Sequence, residues 1–102
     1  MSRGKKLFDA AKAGDREQCE EEIKLGADLE FRFGGWTPLI VAAENGHYDV
    51  IKFLVEMGSD VEARDGAGWT SLMYAVSLGH FAVVEYLVRI GCSVHAHADD
   101  GK

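Results

Sequence analysis

Nine residues of this chain return 33 positions later. Trp36, Thr37, Leu39, Ala42, Gly46, His47, Val50, Leu54 and Gly58 come back as Trp69, Thr70, Leu72, Ala75, Gly79, His80, Val83, Leu87 and Gly91. A fixed period of this size is the mark of a chain built from stacked copies of one supersecondary unit. A fainter copy lies 32 positions earlier, with Leu7, Ala10, Gly14 and Gly26 standing where Leu39, Ala42, Gly46 and Gly58 stand. The missing residue falls between Gly26 and Thr37, a Gly-containing stretch where a loop shortens without disturbing a helix.

Each unit explains itself physically. Thr37 and Thr70 are hydroxyl residues placed to cap a helix start, and Pro38 suits the first helical position, where its missing N–H would be unpaired anyway. A short Leu-, Val- and Ala-rich helix follows, and small Ala42 and Ala43 let a neighbour approach. Gly46 and Gly79 stop it by permitting a left-handed C-cap. A second helix carries Val50, Ile51, Leu54 and Val55 on one face at helical spacing. The alternation Val61, Ala63 before Asp65-Gly66-Ala67-Gly68 reads as an extended arm with a tight turn. The spacing predicts helices over 5–13, 16–24, 38–45, 48–57, 71–78 and 81–90, with a leader from Met1 to Gly4. It places Leu39, Ala42, Val50, Leu54, Leu72, Ala75, Val83 and Leu87 in the core.

Gly-Trp-Thr-Pro-Leu-Ile-Val-Ala-Ala-Glu-Asn-Gly-His at 35–47, with Gly-Ser-Asp-Val-Glu-Ala at 58–63, closely resembles the ankyrin repeat. The third unit matches with Gly-Trp-Thr-Ser-Leu-Met-Tyr-Ala-Val-Ser-Leu-Gly-His at 68–80. The first resembles an N-terminal capping repeat ending in Gly-Ala-Asp-Leu-Glu at 26–30. Three departures stand out: Ile40 and Met73 replace the usual His, Ser71 replaces the Pro, and the first turn is one residue short. The resemblance implies an all-α solenoid of stacked helix-turn-helix units with projecting turn arms. It forms one domain over residues 1–102, with repeats near 3–33, 34–66 and 67–99. It further implies protein binding through a concave face of turn tips and first helices, which in this sequence are Phe33, Trp36, Glu44, Asn45, Ala67, Trp69, Ser77 and Leu78.

Charge narrows the partner. The net charge of −6 comes with no basic stripe, whereas nucleic-acid affinity rests on clustered Lys and Arg, so a protein partner is expected rather than DNA or RNA. No apolar run of 18 residues suggests a membrane span, and no signal-peptide pattern is visible. Cys19 and Cys92 fall in units separated by the second, too far for a disulfide, which needs Cα atoms within about 7 Å. Two free thiols fit a cytoplasmic or nuclear setting.

The two ends differ. Arg16 to Lys24 holds Glu17, Glu20, Glu21 and Glu22, the polar outer face a terminal repeat requires, or alternatively an acidic docking site. The third unit carries Tyr74, Leu78, Val84, Val88 and Ile90 with no polar cap after them, and its register runs out at Gly101-Lys102. The expectation is a fragment of a longer array or a covered third unit, with self-association as one cover.

No nucleophile elbow or phosphate loop is present, so the chain reads as a non-enzymatic binding module needing no cofactor. Two alternatives are the regulatory or interaction region of a larger enzyme or channel, and a small metal-binding protein using Cys92, His95 and His97. His-x-His on a strand puts both imidazoles on one side. Against that, His95 and His97 stand at the register of Glu62 and Arg64, on an exposed arm. His47 and His80 recur at the repeat period and are read as bonding between neighbouring units. Trp36 and Trp69 precede the capping threonines, where each indole can pack over its turn and also meet a partner. Beside them Phe33, Leu78 and Tyr74 extend an apolar strip, Tyr74 as a buried member.

Overall fold

A computed structural model describes residues 2–92. Six α-helices follow one another as three antiparallel pairs: α1 (Arg3–Ala13) with α2 (Arg16–Lys24), α3 (Pro38–Glu44) with α4 (Tyr48–Glu56), and α5 (Ser71–Leu78) with α6 (Phe81–Arg89). The first helices of the pairs form one layer, α1 on α3 and α3 on α5, and the second helices stack outside them. Thr37 and Thr70 cap α3 and α5 through their hydroxyls, which accept from the Ile40 and Met73 amides. Met73, in the place of the usual His, returns the favour: its sulfur accepts from the Thr70 amide at 3.4 Å.

All eight expected core residues are buried, none more than 5 % exposed. The four ladders Leu7–Leu39–Leu72, Ala10–Ala42–Ala75, Val50–Val83 and Leu54–Leu87 make the core continuous from unit to unit. His47 and His80 tie the units together. The Nε2 of His47 lies 2.9 Å from the Lys12 carbonyl, and that of His80 lies 3.0 Å from the Glu44 carbonyl, each in the preceding unit. Gly14 and Gly46 make room for them. Beyond their left-handed φ of 77° and 74°, a Cβ at either glycine would sit 2.7 or 2.6 Å from the imidazole of the next unit. These glycines end a helix and seat a neighbour at once.

Four expectations need correction. Residues 2–4 are no leader, because the Ser2 hydroxyl caps α1 by accepting from the Lys5 amide, and Gly4 is buried where a Cβ would strike the Phe31 ring. Glu22 does not join the outer face. It fills the slot that Leu54 fills in the second unit and is 4 % exposed, with Gln18 donating to one oxygen at 2.6 Å and Arg3 3.8 Å from the other. The acidic surface is left to Glu17 and Glu21, which are exposed, and Glu20, which is half-buried. The arm through Val61 and Ala63 turns rather than extends, since the Asp60 carboxylate and carbonyl accept from the Glu62 and Ala63 amides. Asp28 does the same for Glu30 and Phe31. Tyr74, finally, is only half-buried.

Candidate functional site

The two turns that lead into α3 and α5 begin alike. Arg32 and Arg64 each fold back so that Nη1 donates to the carbonyl before the tryptophan, Gly35 at 2.8 Å and Gly68 at 2.6 Å. Arg32 also donates to the Arg64 carbonyl at 2.7 Å, so one guanidinium fixes both turns relative to each other. The Glu30 carboxylate adds a second tie by accepting from the Asp60 amide at 2.9 Å.

Between arginine and tryptophan the turns diverge. In the first, Phe33 and Trp36 exchange both backbone bonds across Gly34-Gly35, whose φ values of 61° and 85° suit a two-residue hairpin closed by glycines. Phe33 is exposed but not idle: its ring packs 5.3 Å from Phe8, and the Lys5 ammonium lies 4.5 Å over it. In the second turn the extra residue makes a wider loop, and Asp65 takes the place of Phe33. Asp65 is buried, and its carboxylate accepts from the Ala67 and Trp69 amides, both at 2.9 Å, and from the Tyr74 hydroxyl.

The electrostatics follow from that geometry. Burial alone would raise the Asp65 carboxyl, but the donors from Tyr74, Trp69 and Ala67, with a lesser contribution from the Trp36 indole, outweigh it and hold the group below the ordinary carboxylate range. Burial first, then the bond to Asp65 and the charges of Asp65 and Glu44, push the Tyr74 phenol up to about 12. Tyr74 therefore stays a neutral donor and Asp65 a charged acceptor. Around this pair the rings close in: Tyr74 lies 5.0 Å from Trp69 and 5.3 Å from Trp36, tilted against both. Both indoles are half-buried, each with an anchored side and a side left to solvent.

This cluster gathers Trp36, Trp69 and, through its charge on Tyr74, Glu44. Ala67 is exposed at the tip of the second turn. Ser77 and Leu78 are exposed on the last turn of α5, with Leu78 four residues beyond Tyr74 and so on the same helix face. Asn45 is exposed at the end of α3, its amide donating to the Val41 carbonyl and to Glu44. Phe33 belongs to the separate group with Phe8 and Lys5. Asp65 and Arg32 are the residues that sequence reasoning passed over. The signal was modest: an Asp at the head of a Gly-Ala-Gly turn, and an Arg four or five residues before each Trp.

The two thiols are free and buried. Burial, with Asp15 and Glu20 nearby, pushes Cys19 up to about 12, and burial with Glu62 pushes Cys92 up to about 11. Neither is poised as a nucleophile or metal ligand at neutral pH. Among the described residues no cluster of three His, Cys, Asp or Glu could hold a metal, while His95 and His97 lie outside the described residues.

Stacked helix pairs, a shared core and a row of turns carrying a preset aromatic face define the class of repeat proteins that recognise other proteins. Comparison with known proteins makes the class specific: ankyrin repeats match residues 7–98 as three copies, and the chain belongs to the ankyrin-repeat family. It is 39% identical over 58 residues to human protein phosphatase 1 regulatory subunit 27, covering 56% of this chain and 38% of that protein. It is 37% identical over 61 residues to human GA-binding protein subunit beta-1, covering 60% and 15%. A third relative, the NF-kappa-B inhibitor cactus of Drosophila yakuba, is 46% identical over 44 residues, covering 42% and 9%. The chain thus spans well under half the length of each of these relatives.

Proposed function

We propose that this chain is a non-catalytic recognition module that binds a partner protein through the surface formed by Trp36, Trp69, Glu44, Asn45, Ala67, Ser77 and Leu78, with Phe33 at its edge. The observation that carries the reading is the anchoring of both indoles by the Tyr74 ring, which is itself held by its hydrogen bond to Asp65. Aromatic side chains fixed before binding lose little entropy when a partner arrives, and tryptophan is prominent among residues that dominate binding energy. The net charge of −6 weighs against nucleic acid, and among the described residues no helix is long and apolar enough to cross a membrane. Free thiols support a reducing compartment, cytoplasm or nucleus.

A second reading, that the module regulates an enzyme, is favoured by one observation: a relative's name is that of a phosphatase regulatory subunit. Selection of binders from a displayed library of natural protein segments tests the first reading. Clones that hold the native chain and are lost on the folded Trp36→Ala and Trp69→Ala variants support it. Binders that ignore both substitutions, and depend instead on Glu17 and Glu21, would move the site to the acidic face of α2.

A further inference from the structure

Two aromatic rings of this chain are each covered by a cation, and in both places the cation also has a carboxylate one helical turn along. The Lys5 ammonium lies 4.5 Å over the Phe33 ring and 2.9 Å from Asp9. Arg16 lies 5.5 Å over the Phe53 ring and 3.2 Å from Glu20. Ring, cation and carboxylate make a satisfied set, because the ring face and the carboxylate attract the same positive charge.

The cluster of Trp36, Trp69 and Tyr74 has two of those three members. It offers three rings instead of one, with Tyr74 5.3 Å from Trp36 and 5.0 Å from Trp69, and each indole is half-buried with a side left to solvent. Its negative charge has two sources. Asp65 is kept ionised by its donors, and Glu44 is near enough for its charge to act on Tyr74. Asn45 donates to one Glu44 oxygen, and among the described residues Glu44 makes no ion pair. Among the described residues, too, no Lys or Arg stands over either indole. The arginines of the two turns are engaged with the backbone, Arg32 on the Gly35 and Arg64 carbonyls and Arg64 on that of Gly68.

We propose that this cluster takes an arginine side chain of the partner protein, its guanidinium on the indole faces and its donors toward the Glu44 carboxylate. The site is part of the recognition surface proposed above and depends on it. An apolar anchor would cover Glu44 without pairing it, and an unpaired buried charge is costly. Lysine brings the charge on a strongly hydrated ammonium. The guanidinium is planar and weakly hydrated, and it stacks on an aromatic face while its fork of donors meets a carboxylate. The net charge of −6 draws a cationic segment toward the chain.

The test selects binders to the full chain from a displayed library of random peptides and measures synthetic peptides of the selected sequences by calorimetry. Selected peptides should share an arginine. Replacing it by citrulline, which keeps the shape and removes the charge, should weaken binding about tenfold or more, and replacing it by lysine about threefold. Glu44→Gln leaves the backbone carbonyl bonded to His80 and should remove most of the preference for arginine over citrulline, while Asp9→Asn should leave that preference unchanged. Peptides that are lost on the folded Trp36→Ala and Trp69→Ala variants yet carry no arginine, or bind equally well with citrulline, overturn the proposal and leave the recognition surface standing. A citrulline penalty undiminished in Glu44→Gln overturns it as well. Peptides that ignore both tryptophans overturn the surface itself, and the arginine site with it. Lys102 lies outside the described residues, and peptide binding strengthened by Lys102→Ala would make that lysine the occupant and overturn the proposal too.

Discussion

The first and second turns use the same arginine and the same tryptophan to opposite ends. The first is closed by two backbone bonds, with Arg32 braced on the Gly35 carbonyl: Phe33 and Trp36 pair across two glycines, and the Phe33 ring goes outward to Phe8 and Lys5. The second keeps one of those backbone bonds, from the Asp65 amide to the Trp69 carbonyl, and replaces the other by a side chain. Asp65 collects three donors, two from its own loop and one from Tyr74 of the helix after, and the Tyr74 ring packs on Trp36 of the turn before. One inserted residue thus exchanges a solvent-facing ring for a buried carboxylate. The backbone-closed turn reaches the next unit only through the polar ties of Arg32 and Glu30, whereas the carboxylate-closed turn couples two neighbouring units through their aromatic rings. The candidate binding face sits where that coupling is strongest.

Removing the carboxylate should cost most. Asp65→Ala leaves a half-buried hydroxyl and two amides without their acceptor, and losing a buried partner costs about 1–3 kcal/mol per group where water cannot substitute. A loss of about 3 kcal/mol in chemical denaturation is expected, close to the 2–5 kcal/mol typical of a core truncation such as Leu54→Ala. A loss under about 1 kcal/mol would mean that the carboxylate does not organise the turn. Tyr74→Phe removes one donor and keeps the ring, so about 1–2 kcal/mol should go. Gly35→Ala tests the other mode of closure. A side chain at φ 85° is strained by about 1–2 kcal/mol, and no Asp stands by to compensate. Phe33→Ala, at an exposed ring, should cost less than about 1 kcal/mol and leave Trp69 fluorescence unaltered, whereas Asp65→Ala should shift it.

Acid and alkali separate the turns further. Asp65 has its folded value depressed, so its stabilisation is present above the usual carboxylate range and is lost as pH falls through the lower folded value. Tyr74 has its folded value raised to about 12, so its contribution is complete below about 10 and disappears as pH climbs toward 12. Denaturation midpoints measured across pH should fall at both extremes in the native chain and much less in Asp65→Asn. Equal profiles would detach the pair from stability.

The helices and core were legible because they depend on periodicity, which one unit states and the next repeats. Boundaries agree within two residues, and Leu39, Leu54, Leu72 and Leu87 are buried as their spacing requires. The inter-unit role of His47 and His80 was equally legible from recurrence at 33 residues. What escaped depends on partners far along the chain. Gly4 is buried because Phe31 comes back to it, and Glu22 is buried with Gln18 bonded to one oxygen and the Arg3 charge 3.8 Å from the other. Asp65 looked like an ordinary turn residue. Only the fold shows that Tyr74, nine residues later, donates to it and packs its ring on Trp36, 29 residues before that carboxylate.

The central claim is that binding energy sits on the indoles of the coupled turn and not on the backbone-closed turn or the acidic helix. The direct measurement is calorimetry of one selected binder against the native chain, Trp69→Ala, Phe33→Ala and Glu21→Ala, each first shown to be folded. Trp69→Ala should weaken binding at least tenfold, about 1.4 kcal/mol or more, with Phe33→Ala weaker in effect and Glu21→Ala within about twofold. The reverse order, with Glu21→Ala the most damaging and Trp69→Ala silent, would contradict the account.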